Sequence, residues 1–368
     1  MTGNSDRIRR VIGERIRMAR EAKDWTQDSL ADAMGIADRQ SISTIESGER
    51  KVAADEMVRF IAVLGQPLAF FTDPDLVVEE NFFSYRARPD ATGIAVFEAG
   101  AKKLIETNRR LRTLLGEQPP PTFSGVRGLT KSTPVETAGM FGYRFCVNWK
   151  LGDCPAATLR EAIARACHVL ILEVNAPEGV SGAACHLEDG DVILLNRTEP
   201  SYRKNFTLGH EFFHLLTWQD MPPARDDVEG STEKKPKVEQ LADAFTSSLL
   251  MPTPVLQRVW ANSHGSERDR VMHVARHFDV SGKAAYFRLV NGRYLRDPSR
   301  ELLKEDLTRK DERKPLPPRF DADFVKRLHS AIESGRMTAN RAAELLDMDR
   351  DELLSLFTEH HLTDPINS

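Results

Sequence analysis

The stretch NFTLGHEFFH, residues 205–214, decides how this chain is interpreted. It holds two histidines, His210 and His214, with Glu211 directly after the first. In an α-helix, residues i and i+4 lie one turn apart on the same face, so both imidazoles can reach one cation. A solvated charged face is the alternative, but the surrounding residues are apolar, which favours either satisfied core histidines or a ligand pair: Phe206, Leu208, Phe212, Phe213, Leu215 and Leu216.

A catalytic zinc ion needs a third protein ligand besides two histidines. Glu239, which begins a second predicted helix 25 residues after His214, is the best candidate. Asp243 lies one turn later, where its carboxylate can accept the free N–H of a ligand histidine. Because zinc lowers the pKa of bound water to about 7, Glu211 can take that proton at neutral pH. The pattern predicts a zinc site with Glu211 as catalytic base.

The order of predicted elements in residues 141–300 indicates an α+β domain. The apolar run Val169–Val174 predicts a buried strand, and Asp189-Gly190 between two further apolar segments predicts a β-hairpin. Helices are predicted over Tyr202–Thr217 and Lys237–Leu250, with two or three more to about Leu295. We also hypothesise that the edge of strand Asp191–Leu195 pairs with an extended peptide substrate.

Residues 1–75 predict an all-helical head. Four short segments carry helical spacing, and three of them end at a glycine: Gly35, Gly48 and Gly65. Short helices separated by tight, glycine-marked turns are typical of a helix-turn-helix bundle.

The remaining parts predict helices joined by stiff or charged links. Residues 76–140 are interpreted as a helical connector, with a helix over Ile94–Leu115 followed by three prolines at 119–121. Residues 301–368 combine a charged linker with a small helical C-terminal module. Its segments Met337–Leu346 and Asp349–Phe357 resemble a helix-turn-helix pair, and because the second is acidic we interpret it as an interaction module.

Composition limits the class of protein. The chain has 368 residues, 40% hydrophobic and 29% charged, with a net charge of −4. This length favours two or three soluble domains. No run of about 18 apolar residues predicts a membrane span, and the polar, basic N-terminus does not fit a secretory signal. The four cysteines form no Cys-x-x-Cys pair and indicate reduced thiols in a cytoplasmic protein.

Over about residues 141–297 the chain resembles the ImmA/IrrE family of metallopeptidases. The resemblance implies a gluzincin-like fold, a Zn²⁺ cofactor and intracellular cleavage of a transcriptional repressor. It also implies His210, His214 and Glu239 as metal ligands and Glu211 as general base. The stretches that carry the resemblance are Gly179–Gly182, Val192–Asn196, Asn205–His214, Glu239–Phe245, Leu249–Pro252 and His277–Ser281.

The stretches Trp25–Ala31 and Ile42–Arg50 resemble an XRE-type phage-repressor helix-turn-helix. Such a head places its second helix in the major groove of a DNA operator, often as a dimer on paired half-sites, which leaves a homodimer open. The head has 11 basic and 11 acidic residues over positions 1–72, so its non-specific DNA affinity should be modest and salt-dependent. Gln27 is expected to contact phosphate. The residues expected to face the bases are Arg39, Gln40, Ser41, Ser43 and Thr44.

The sequence is compatible with two functions. In the first, a multidomain regulator with an all-α head, an α+β zinc peptidase domain and a small all-α C-terminal tail cleaves a partner repressor. In the alternative, the head does the work as a DNA-binding or antitoxin-like regulator, and the peptidase fold senses a signal or binds a partner without proteolysis. A protein-binding or dimerising role is the alternative for the head itself. The complete set of candidate ligands with a candidate base favours the first function.

Overall fold

The computed structural model describes residues 2–23, 25–36, 39–72, 83–87, 93–118, 120, 125, 128–187, 190–222, 235–295, 307, 309 and 316–365. The chain divides into two compact units. The first comprises residues 1–80 and 102–110, and the second comprises residues 81–101 and 111–368. The predicted prolines 119 and 121, the hairpin residue Asp189, most of the loop between the two predicted metal helices and most of the charged linker lie outside the described residues.

The head in the first unit is all-helical, as predicted. Its helices are α1 (Thr2–Glu21), α2 (Gln27–Met34), α3 (Arg39–Glu46), α4 (Ala54–Leu64) and a short α5 (Leu68–Thr72). The Thr26 side chain caps α2 by accepting from the backbone N–H of Ser29, and α2 ends at Gly35 with φ 64°. This left-handed conformation favours glycine. The helices close on an apolar core that includes Ile16, Leu30, Ile42, Ile45, Phe60 and Phe71.

The second unit is built around a four-stranded sheet. Its strands are β1 (Phe83–Ala87), β2 (Leu170–Val174), β3 (Val180–Cys185) and β4 (Val192–Asn196), in the spatial order β1-β3-β4-β2. The predicted hairpin is confirmed, because β3 and β4 pair antiparallel with Ala184 opposite Ile193. Strands β2 and β4 pair in parallel, and β1 adds antiparallel to β3.

The position of β4 contradicts one prediction. We expected the edge of Asp191–Leu195 to bind an extended peptide, but β4 is hydrogen-bonded on both sides, to β3 and to β2. A strand paired on both sides has no backbone groups left for a peptide, so that hypothesis is wrong. The cause is the parallel pairing of β2 with β4, which covers the side of β4 that β3 leaves open. Strand β1, which lies in the region interpreted as a helical connector and was not predicted as a strand, adds to the far side of β3.

The outer edge of β2 is covered by other parts of the second unit. An Nη2–H of Arg160 donates to the carbonyl of Ile171 at 3.0 Å, and the backbone N–H of Phe320 donates to the carbonyl of Glu173 at 2.9 Å. Among the described residues, β1 pairs only with β3. The outer edge of β1 is therefore the one side of the described sheet without a strand or these capping donors.

Helices make up most of the rest of the described chain. They are α6 (Ile94–Leu115), α7 (Val135–Asn148), α8 (Leu159–Cys167), α9 (Ser201–Thr217), α10 (Lys237–Leu250), α11 (Thr253–Ala261), α12 (Glu267–His277), α13 (Gly282–Asn291), α14 (Ala322–Glu333), α15 (Ala339–Leu345) and α16 (Arg350–Glu359). The predicted helices α6, α9 and α10 are confirmed, as is the helical C-terminal module. No helix among the described residues has the length and hydropathy needed to cross a bilayer, and all four cysteines are free thiols.

Helix α7 was not predicted, and it holds α10 at close range. A Cβ built on Gly142 would lie 2.1 Å from the carbonyl oxygen of Phe245, and one on Gly139 would lie 2.9 Å from Oγ of Ser248. Glycine at these positions lets the two helix backbones approach each other. Helix α7 therefore packs closely against α10, the helix that carries Glu239.

Replacing Gly142 with alanine is expected to destabilise the protein by about 1–3 kcal/mol, because the helices must separate to make room for the methyl group. Gly100→Ala is the matched control, since a Cβ there meets nothing within 4 Å. Alanine in that helix interior should stabilise by about 0.5–1 kcal/mol. The thermal unfolding midpoint of the two variants should therefore move in opposite directions. Equal shifts would contradict the tight α7–α10 contact.

Candidate metal centre

The two histidines lie on the buried face of α9. This helix begins after Pro200 and is buried almost continuously from Thr207 to Thr217, beneath β3 and β4 and against α10. Both His210 and His214 are 2% exposed, and their ring centroids are 4.9 Å apart. Gly209 allows the close approach of α10, since a Cβ there would lie 2.8 Å from Cγ2 of Thr246.

Glu239 in the first turn of α10 faces both imidazoles. Its Oε2 lies 2.9 Å from Nε2 of His210, and its Oε1 lies 3.0 Å from Nε2 of His214. One potential ligand atom from each of the three residues lies within 4.8 Å of the other two. The structure thus brings together the three side chains that the sequence predicted as ligands.

The charges around Glu239 favour an ionised carboxylate. Burial alone raises its pKa, but attraction to His210 and hydrogen bonds donated by both imidazoles outweigh burial and hold the pKa of Glu239 well below its usual range. A carboxylate that stays ionised in a buried position is the form that binds a metal cation.

The two remaining predicted residues lie beside this triad. Glu211 is fully buried on α9, directly after His210. On α10, Oδ1 of Asp243 lies 3.2 Å from Nδ1 of His210, on the side of the ring opposite the nitrogen that faces Glu239. Asp243 is therefore placed to hold the ring while Nε2 points into the centre of the triad.

The donor set fits zinc. Two imidazole nitrogens and one carboxylate oxygen, converging in a mostly buried position, form the three-ligand pattern of a catalytic zinc site that keeps a coordination position for water or substrate. Burying a charged group costs free energy unless the group is paired or binds a metal. A bound cation would offset the cost of burying the carboxylate of Glu239.

The predicted DNA-contacting residues divide into two groups on the head. Arg39, Gln40 and Ser43 are exposed on α3, whereas Ser41 and Thr44 are half-buried and Thr44 donates its hydroxyl to the Ser41 carbonyl at 3.1 Å. Gln27 is also partly engaged within the head, because it accepts from Nε of Arg39 at 3.1 Å and donates to Glu46 at 2.9 Å. Three of the six side chains thus face solvent on the second helix of the motif.

Beneath this surface, Glu46 forms a buried ion pair with Arg20. Oε1 of Glu46 accepts from Nε of Arg20 at 2.7 Å, and Oε2 accepts from Nη2 at 3.1 Å. The two side chains are 3% and 9% exposed. The pair joins α1 to α3. It could not be predicted from a local motif, because the two residues are 26 positions apart.

Comparisons with known proteins agree with this division into a helical head and a domain that carries the candidate metal site. Residues 16–71 match the family described as Helix-turn-helix (HTH_3), and residues 167–290 match the family described as IrrE N-terminal-like domain (Peptidase_M78). The chain is thus a multidomain protein in which a helix-turn-helix DNA-binding domain precedes a domain of a peptidase family. More specifically, it combines an XRE-type helix-turn-helix domain with an IrrE-like domain of the Peptidase_M78 family.

Whole-chain comparisons add little to the two domain matches. No curated protein matches the chain. Among solved structures, Bacillus thuringiensis PlcR in complex with the peptide PapR7 and DNA aligns over 96% of this chain and 93% of that chain, at 11% identity and a TM-score of 0.18. A TM-score this low is not evidence of a shared fold or function.

Proposed function

We propose that this chain is a regulatory zinc-dependent endopeptidase that cleaves a partner transcriptional repressor. The observation that carries the proposal is the buried triad of His210, His214 and Glu239 with Glu211 beside its first histidine. A scaffold that only binds a partner has no need of a buried general base next to a metal site. The IrrE-like family match supports the same class of chemistry.

His210, His214 and Glu239 would hold the zinc ion in this proposal. Zinc in such a site polarises the scissile carbonyl and makes water acidic enough to be deprotonated near neutral pH. The carboxylate of Glu211 accepts the proton of the attacking water and then delivers it to the leaving amine. Asp243 keeps the ring of His210 in the orientation that points Nε2 inward, at the 3.2 Å separation described above.

We assign the peptide substrate to the outer edge of β1. An extended peptide binds by adding a strand to an open sheet edge. Strand β4 is paired on both sides, and the carbonyls of Ile171 and Glu173 on β2 are occupied by Arg160 and Phe320. Helix α9 packs against β1 as well as β3 and β4, so a peptide on β1 would run along the helix that carries Glu211.

Metal analysis of the purified full-length chain tests the site itself. Wild type is expected to contain about one zinc ion per chain, and His214→Ala is expected to lose it, because two ligands rarely hold zinc alone. His264→Ala is the matched control, since His264 is exposed and lies on another part of the domain. Retention of zinc by His214→Ala, with the same thermal unfolding midpoint as wild type, would contradict the ligand assignment.

The N-terminal head would link the proposed protease to gene regulation. We propose that α3 binds a DNA operator through the exposed side chains of Arg39, Gln40 and Ser43. The protein would bind paired half-sites as a homodimer. We also propose that it works in the cytoplasm. The helix-turn-helix match supports the DNA-binding part.

A second candidate function also rests on the head. The fused helix-turn-helix domain favours gene regulation even without proteolysis. In that case the IrrE-like domain would sense a signal or bind a partner, and the head would act as a repressor or antitoxin-like regulator. The two functions differ in one measurable respect: only the proteolytic one depends on the Glu211 carboxylate.

A further inference from the structure

The carboxylate of Asp243 contacts two different partners. Its Oδ1 lies 3.2 Å from Nδ1 of His210, and its Oδ2 accepts from the Nζ ammonium of Lys235 at 2.5 Å. Lys235 lies just before α10, separated from it by Pro236, which is the N-cap of the helix. One carboxylate therefore links a candidate metal ligand on α9 to a lysine at the entrance of α10.

Lys235 is held at this position by its backbone as well as its side chain. Its carbonyl accepts from Nε2 of Gln240 at 2.7 Å, so the residue is tied to the first turns of α10 at two points. The side chains of Asp243 and Lys235 are 38% and 40% exposed. A carboxylate this exposed has other rotamers available in solvent, and the lysine contact favours the one that faces His210.

We infer that Lys235 is a positioning residue of the metal centre, which sets zinc affinity by holding Asp243 against His210. The inference rests on the proposed zinc site and extends it to a residue outside the predicted motif. Carboxylates that orient a ligand histidine usually change metal affinity by about 10–100-fold when they are replaced. Lys235 acts only through Asp243, so its own effect must be a fraction of that range.

Competition with a chromophoric zinc chelator tests the inference on the full-length protein. Asp243→Asn is expected to weaken zinc binding by about 10–100-fold. Lys235→Met should weaken it by roughly threefold, the size of effect typical of one partly exposed ion pair. Lys235→Arg, which keeps the charge and can reach the same carboxylate, should restore most of the affinity. Lys237→Met is the matched control, because Lys237 lies two residues further on without a described contact to Asp243.

The double variant separates positioning from a general charge effect. If Lys235 acts through Asp243, adding Lys235→Met to Asp243→Asn should change zinc affinity no further. Wild-type affinity in Lys235→Met, or an added loss in the double variant, would overturn the inference. Failure of the zinc site itself would look different, because wild type and all variants would then lack zinc whatever residue stands at position 235. Thermal unfolding of the metal-free variants checks that each remains folded.

Discussion

Replacing Glu211 with glutamine is expected to lower the rate of peptide cleavage by about 10²–10⁴-fold while zinc stays bound. Glutamine has the shape of glutamate but cannot accept a proton from water. The expected loss corresponds to about 3–5 kcal/mol of transition-state stabilisation. It is the largest effect on activity that we predict for a single side chain outside the proposed metal ligands.

The packing around Glu211 makes the glutamine variant a clean probe. The side chain is fully buried, so a truncation to alanine would leave a cavity beside His210 and confuse loss of chemistry with loss of structure. The amide fills the same space and carries no charge, so the proposed ligands His210, His214 and Glu239 should keep their positions. Zinc content and thermal unfolding midpoint are therefore expected to match wild type.

Mass spectrometry of newly formed protein N-termini measures the effect without knowledge of the substrate. Zinc-loaded wild type, Glu211→Gln and Glu161→Gln are each incubated with a protein extract of the source cells. Glu161 is exposed on α8 and controls for the change of charge. Cuts made by wild type and Glu161→Gln but absent with Glu211→Gln would support proteolysis. Cuts that persist in Glu211→Gln would show that another group is the base, and a regulatory output that survives the change would favour the non-proteolytic function.

The candidate site could be predicted largely because it depends on local helical spacing. The separation of four residues places His210 and His214 on one face of α9, and the same spacing places Glu239 and Asp243 on one face of α10. Helical spacing does not show that these two faces pack against each other in the folded chain. That expectation came from the family resemblance. Lys235 escaped prediction because its role depends on a contact across eight residues and not on a motif.

The sheet was harder to predict than the helices for a related reason. Strand β1 is only five residues long and stands alone between segments with helical spacing. Its partner β3 lies almost a hundred positions away, so no local pattern indicates the pairing. The hairpin pattern of β3 and β4 does not show that β2 pairs in parallel with β4 and that β1 adds to β3, and these two pairings make both hairpin strands internal. Helix α7 was missed because Gly139 and Gly142 lower helix propensity, although they are the residues that allow it to pack on α10.

Replacing Glu46 with alanine is expected to destabilise the head by about 3–5 kcal/mol, the largest effect on stability that we predict. The change leaves the guanidinium of Arg20 buried with a much weaker counter-charge. Glu21 also contacts Arg20 at 3.1 Å, but its side chain is 56% exposed and screened by water. Since small domains are stable by only about 5–15 kcal/mol, much of the head's stability would be lost.

Hydrogen exchange of the full-length chain, read from peptides of α1 and α3, measures this loss without assuming two-state unfolding of a multidomain protein. Asp55→Asn is the matched control, because its ion pair with Arg59 is exposed and should change protection by at most about 1 kcal/mol. Replacing both partners, as in Arg20→Met with Glu46→Leu, should recover most of the stability, since an apolar pair can substitute for a buried ion pair. If Glu46→Ala leaves protection of α1 and α3 unchanged, the ion pair does not hold the head together. If it lowers protection there but leaves zinc content and the Glu211-dependent cuts unchanged, the metal centre does not depend on a folded head.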